Sequence, residues 1–183
     1  MRLFIGIRIS DEIKTKLAFL QKELKKKVKE AKIVNPNNLH FTLKFLGEVK
    51  EDSIPGINEV LEKVSSRVNP FLIKISGIGR FPEGKKIRVL WVGADAENYL
   101  KQLHKIIEEE FGKIGFIQEN KFKEHITISR FKGFPNSIID ELENKYEECE
   151  WGEMKVKTFE LIQSCLKPEG PVYITVKKYN LKK

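Results

Sequence analysis

Leu39-His40-Phe41-Thr42-Leu43-Lys44-Phe45-Leu46 reads as a strand. Its His-x-Thr opening returns 85 positions later as His125-Ile126-Thr127-Ile128. The chain has three histidines and five threonines in 183 residues. Two of three histidines followed by Thr two residues on has a chance probability of roughly 0.002, so the pair is a signal. Side chains at i and i+2 of a strand leave the same face about 6.6 Å apart, so each histidine carries a hydroxyl beside it.

Working outward, residues 2–9 alternate Leu3, Ile5, Ile7 and Ile9 against Arg2, Gly6 and Arg8, a strand with one face on a core. Ser10 caps a helix whose start suits Asp11 and Glu12 and whose apolar stripe is Ile13, Leu17, Leu20, Leu24 and Val28. Asn35-Pro36-Asn37-Asn38 breaks it ahead of the strand 39–46. A second helix turns Ile57, Val60, Leu61, Val64 and Val68 inward, and a strand over 71–79 closes the series. The order then repeats: strand 86–93, helix 95–111, strand 122–130, helix 136–148 and strand 153–163, with one more strand over about 172–180. Repetition of the pattern predicts an α+β fold of two pseudo-twofold β-α-β-α-β lobes within one domain, 1–183. The lobes span roughly 1–80 and 81–183, with strands free to exchange between them. Their mainly antiparallel sheets would carry helices on one face and line a central cleft with the other. A doubly wound parallel sheet fits less well, because the strands alternate and no glycine-rich loop follows the first.

Composition is that of a soluble globular protein, 40% hydrophobic and 33% charged. No apolar run reaches the roughly 20 residues of a membrane helix, and the N-terminus is no secretory leader, which makes the cytoplasm the expected location. Cys149 and Cys165 lack zinc or disulfide spacing and read as idle thiols. A net charge of +8 favours polyanions such as RNA or phosphate esters. Part of the excess, Lys25-Lys26-Lys27 and Lys182-Lys183, is the pattern of a solvated helix face and a charged tail.

Two imidazoles and two hydroxyls in one cleft can grip a phosphate and move protons on both sides of it. One histidine takes a proton from water, the other gives one to the departing oxygen, and Thr42 and Thr127 donate to the phosphate oxygens. Neither motif has a zinc-site arrangement, and Glu124 should point away from His125, so no metal or other cofactor is expected. His104, on a helix border, and Trp91, in a strand, read as structural. The residues alone do not order the two histidines.

The chain resembles the 2H phosphoesterases, in the branch of RNA 2′,3′-cyclic phosphodiesterases first described as 2′-5′ RNA ligases. The likeness is carried by Arg2-Leu3-Phe4-Ile5, residues 38–47 around His40, Arg88-Val89-Leu90-Trp91-Val92-Gly93, residues 125–130 around His125, and residues 164–173 from Ser164 to Tyr173. It spans essentially the whole chain.

The resemblance implies metal-independent hydrolysis of a terminal 2′,3′-cyclic phosphate to a 2′-phosphate. His40 would be the proton donor to O3′ and His125 the acceptor that activates water. It further suggests base stacking on Phe45 and phosphate contact by Arg130, each five residues past its histidine, with Tyr173 at the cleft rim. Strict alternation puts Phe45 and Arg130 on the wrong face, so either a bulge re-aims them or they are a core phenylalanine and a surface arginine. The expected partners are RNA ends bearing cyclic phosphate, tRNA fragments among them, or small cyclic-phosphate nucleotides, acted on by a monomer. Reverse 2′-5′ ligation and a non-catalytic RNA-binding module are the rival readings.

Overall fold

The computed structural model describes residues 1–82, 86–134, 137–168 and 170–182. Asn136 as a helix start, Glu169 in the late segment and Lys183 in the tail lie outside the described residues. In chain order the elements are β1 (Arg2–Arg8), α1 (Asp11–Lys27), β2 (Lys32–Ile33), β3 (His40–Glu48), α2 (Ile54–Ser65), β4 (Phe71–Phe81), β5 (Ile87–Asp95), α3 (Tyr99–Lys113), β6 (His125–Phe134), α4 (Ser137–Tyr146), β7 (Glu150–Val156), β8 (Thr158–Lys167) and β9 (Gly170–Asn180).

The strands form one antiparallel sheet in the order β7-β4-β5-β6-β3-β1-β8-β9, with the short β2 added beside β6. At its centre β3 and β6 meet through the single pair Phe41–Ile126 and then diverge, which divides the sheet into two half-sheets. One residue, Lys157, links β7 at one edge to β8 near the other. So short a link requires the edges to approach, and the sheet curls into a half-barrel. α1 and α4 pack on the half-sheet of β4 to β7, α2 and α3 on the other. Each side therefore draws on both halves of the chain.

The helices form where the apolar stripes predict. Ser10 caps α1 by accepting from the Ile13 N–H at 3.5 Å, with Asp11 and Glu12 in the first turn and three lysines in the last. Leu17 of α1, Leu61 of α2, Leu103 of α3 and Ile5, Phe41 and Ile126 of the sheet belong to one continuous core, all at most 1% exposed. Each such side chain contributes about 1.5–3 kcal/mol by leaving water. Among the described residues no helix is long and apolar enough to cross a membrane.

Of the boundaries that differ from the sequence reading, three show their cause. The strand expected over 153–163 is two strands, because the consecutive polar residues Lys157-Thr158 shift the apolar positions from Met154 and Val156 to Phe159 and Leu161 as the pairing partner changes from β4 to β1. α3 starts at Tyr99 rather than 95, since Asp95 ends β5 and Glu97 and Asn98 take positive φ in the intervening turn. β6 starts at His125 rather than 122, where pairing to Gly93 of β5 begins.

Candidate active site

His40 and His125 open the two strands that meet at the centre of the sheet, so the pairing that joins the half-sheets also brings the histidines together. Each ring is held the same way. The Nδ1–H of His40 donates to the carbonyl of Asn38 at 2.5 Å, and that of His125 to the carbonyl of Lys123 at 2.7 Å. A carbonyl can only accept, so both neutral rings carry the proton on Nδ1 and present Nε2 as an acceptor. The Thr42 hydroxyl donates to Nε2 of His40 at 3.0 Å.

Burial pushes the His40 imidazole down to about 4. The positive charges of Arg8, His125 and Arg130 act in the same direction, while the Asn38 carbonyl opposes them. His125 is also lowered, first by burial and then by Arg130 and Lys123, against the pull of its own carbonyl partner. An anion placed between the rings would favour the imidazolium form and so act against both shifts. Phe4 packs against His40 at 4.8 Å between ring centroids and Tyr173 meets it edge-on at 5.3 Å. Phe81 and Trp91 frame His125 at 5.1 and 6.2 Å.

Phe45 and Arg130 reach the same cleft because both strands are bulged. Thr42 pairs with Gly6 and Lys44 with Ile5, leaving Leu43 as the extra residue of β3; likewise Thr127 pairs with Trp91 and Ser129 with Leu90, leaving Ile128 extra in β6. Two successive side chains thus point into the core, Leu43-Lys44 and Ile128-Ser129. The residue after each pair returns to the face of the histidine. The carbonyl freed by each bulge is captured from a helix. His104 of α3 donates Nδ1–H to Leu43 O at 2.8 Å, and Gln21 of α1 donates Nε2 to Ile128 O at 3.2 Å. His104 is structural, as expected, and stacks on Phe122 at 4.2 Å.

Behind the β3 bulge is a buried ion pair that sequence reasoning missed. Lys44 Nζ lies 2.6 Å from Glu108 Oε2 and donates to Ile117 O at 2.8 Å, with the two side chains 2% and 7% exposed. The same Glu108 oxygen accepts from the Glu119 N–H at 2.9 Å. The pair therefore ties β3 to the segment that leads into Lys123 and His125. A lysine interrupting the apolar run of residues 43–46, with Glu108 beside the inward stripe of its helix, was the available signal. Arg8 was missed as well: it donates to Glu160, to Asn37 O and to Tyr173 O, bracing the segment before His40 against β9. Trp91, read as core, is instead half-buried beside His125, because its strand turns that face to the cleft. Glu124 points away from His125, as expected, to Lys101 at 3.3 Å.

The cleft has a volume of about 1420 Å³ and its walls include His40, Thr42, Phe45, His125, Thr127, Arg130 and Tyr173. The seven residues singled out from the sequence are thus brought together. Among the described residues no three of His, Cys, Asp or Glu are grouped to hold a metal ion.

The description of LigT-like phosphoesterases fits this chain twice, over residues 7–91 and 92–173, in register with the 85-residue repeat. A protein of Archaeoglobus fulgidus named RNA 2′,3′-cyclic phosphodiesterase is 40% identical, with 94% of this chain and 96% of that protein aligned. One of the same name from Methanocaldococcus jannaschii is 38% identical over 98% of this chain and 100% of its own length. A crystal structure from Thermus thermophilus superposes with a TM-score of 0.86 at 29% identity, covering 100% of this chain and 98% of that one. The fold is also that of E. coli LigT complexed with 3′-AMP, with a TM-score of 0.79 at 22% identity over 100% and 98% of the two chains.

Proposed function

Because the chain belongs to the LigT-like phosphoesterase family, a group of hydrolases acting on phosphoric esters, we propose that it opens the 2′,3′-cyclic phosphate at the end of an RNA to a 2′-phosphate, with His40 and His125 as its catalytic pair. The observation that carries the assignment is the matched posture of the two imidazoles, each fixed through Nδ1 on a backbone carbonyl and each offering Nε2 to one cleft. In the reaction His125 Nε2 takes a proton from water as its oxygen bonds to phosphorus. The P–O3′ bond breaks, and O3′ leaves with the proton from His40 Nε2. Water supplies both the new hydroxide ligand of phosphorus and the proton that restores the pair. His40 holds that proton only when the anionic phosphate lies against it, since burial keeps the free ring neutral near pH 7.

Thr42, Thr127 and Arg130 serve the non-bridging oxygens, whose charge grows towards the transition state. Phe45, 59% exposed, offers its ring to the terminal base, and Tyr173 borders the same space. No step calls for a metal. The experiment is turnover of an oligonucleotide ending in 2′,3′-cyclic phosphate, in EDTA, by the purified protein and by His40→Ala and His125→Ala. A 2′-phosphate product lost in both variants, with circular dichroism unchanged, is expected. Binding without turnover refutes the enzymatic reading, and loss of activity in chelator refutes the metal-free one.

A further inference from the structure

We infer that the wall of the cleft built by the start of β1 and the β8–β9 hairpin is a track for the RNA chain 5′ of the reacting end, which makes a single-stranded oligonucleotide, rather than a mononucleotide, the preferred substrate. The inference rests on the assignment of the cleft as the phosphodiesterase site. Small-molecule pockets are typically about 300–1,000 Å³, and this cleft, at about 1420 Å³, exceeds what one nucleotide occupies.

Its outer wall has the two features that single strands require. The first is positive charge that no carboxylate among the described residues neutralises. Arg2 and Lys167 line the cleft and are exposed, and neither meets a carboxylate among the described residues, whereas Arg8, Lys14, Lys16, Arg67 and Arg80 all do. The second is exposed apolar surface against which bases can pack: Leu166 is 71% and Val172 46% exposed at the hairpin, in the same cleft wall as Phe45.

The wall is also anchored to the reacting centre. Asn38, whose carbonyl holds His40, donates its side-chain amide to Pro171 O at 2.7 Å, and Ser164 pairs with Tyr173 across the hairpin. The opposite wall also carries an exposed cation, Lys32, without a carboxylate among the described residues, but it brings an acid, Glu30, into the cleft and has no exposed apolar surface like that of the hairpin. Its Lys25 already donates to the carbonyls of Lys29 and Ala31 at 2.6 and 3.0 Å.

The test compares kcat/KM on a 2′,3′-cyclic mononucleotide and on a tetranucleotide with the same cyclic-phosphate end, for the unaltered protein and for Arg2→Ala combined with Lys167→Ala. The expected result is a loss of about tenfold on the tetranucleotide, a change within about twofold on the mononucleotide, and a salt slope lower by about 1.4 as two phosphate contacts vanish. Leu166→Ser should also weaken only the tetranucleotide, with its salt slope unchanged. Equal losses on both substrates, or none on either, overturn the track. If the unaltered protein turns over neither substrate, the phosphodiesterase assignment falls. Anisotropy of a fluorescent tetranucleotide then still decides the track, which stands only if the double variant binds about tenfold more weakly.

Discussion

Replacing Lys44 by Met removes the cation of the most deeply buried ion pair among the described residues while keeping an apolar stem of similar length. Glu108 is then left as a carboxylate at 7% exposure with the Glu119 N–H as its remaining donor, and its Oε1 already has no hydrogen-bond partner among the described residues. Leaving a buried charge without its counterion costs about 3–5 kcal/mol. In a chain of this size each kcal/mol lowers Tm by about 2–4 °C, so the variant should melt about 6–20 °C lower. The matched apolar pair, Lys44→Met with Glu108→Leu, should recover most of that loss, because neither charge then has to be desolvated. Activity should fall in both variants. Ile117 O and Glu119 N–H lose their partners in the double variant, and the segment they hold carries the carbonyl that orients His125. Calorimetry and turnover of a cyclic-phosphate oligonucleotide measure the two effects separately. A Tm loss under about 2 °C for Lys44→Met would show that water reaches Glu108 and would refute the desolvation argument.

Acid should weaken the fold through His40. Its folded pKa of about 4 lies below the ordinary imidazole value of 6.5, so between those values the unfolded chain binds the extra proton and stability falls as pH falls. The contribution approaches about 3 kcal/mol below pH 4, so urea titrations should show the unaltered protein losing that much more stability from pH 7 to 4 than His40→Gln; equal losses would contradict the burial argument. Gln21→Leu removes the amide that donates to both Val34 O and Ile128 O at the β6 bulge, leaving the Val34 N–H on Ile128 O, and should cost about 1–3 kcal/mol in denaturant unfolding, while a neutral result would mean that the remaining partners satisfy both carbonyls. Gly6→Ala should lower both Tm and kcat, since the added carbon would stand 2.9 Å from the Phe41 backbone carbonyl and 3.3 Å from Cδ2 of His40; an unchanged kcat in the folded variant would show that the ring has room to give.

The histidines, the threonines and the repeat were legible in the order of residues alone. These are local patterns: a two-residue spacing on a strand, apolar stripes on helices, and an offset of 85 positions that the tandem family match follows. Which side chains share the cleft was legible for His40, Thr42, His125 and Thr127, because alternation alone carries i and i+2 to one face.

Phe45 and Arg130 were not settled in the sequence, since one extra residue in each strand reverses the parity beyond it. Each bulge is sustained from outside its strand, by His104 and by Gln21, so no local signal announces it. The division of residues 150–167 between opposite ends of the sheet left only a change of parity at Lys157-Thr158, and no local pattern says that the pairing partner changes there from β4 to β1. The pairing of Lys44 with Glu108 likewise joins residues 64 positions apart. Spacing along the chain decides which groups can act. Pairing between distant strands and the capture of freed backbone groups decide where they point.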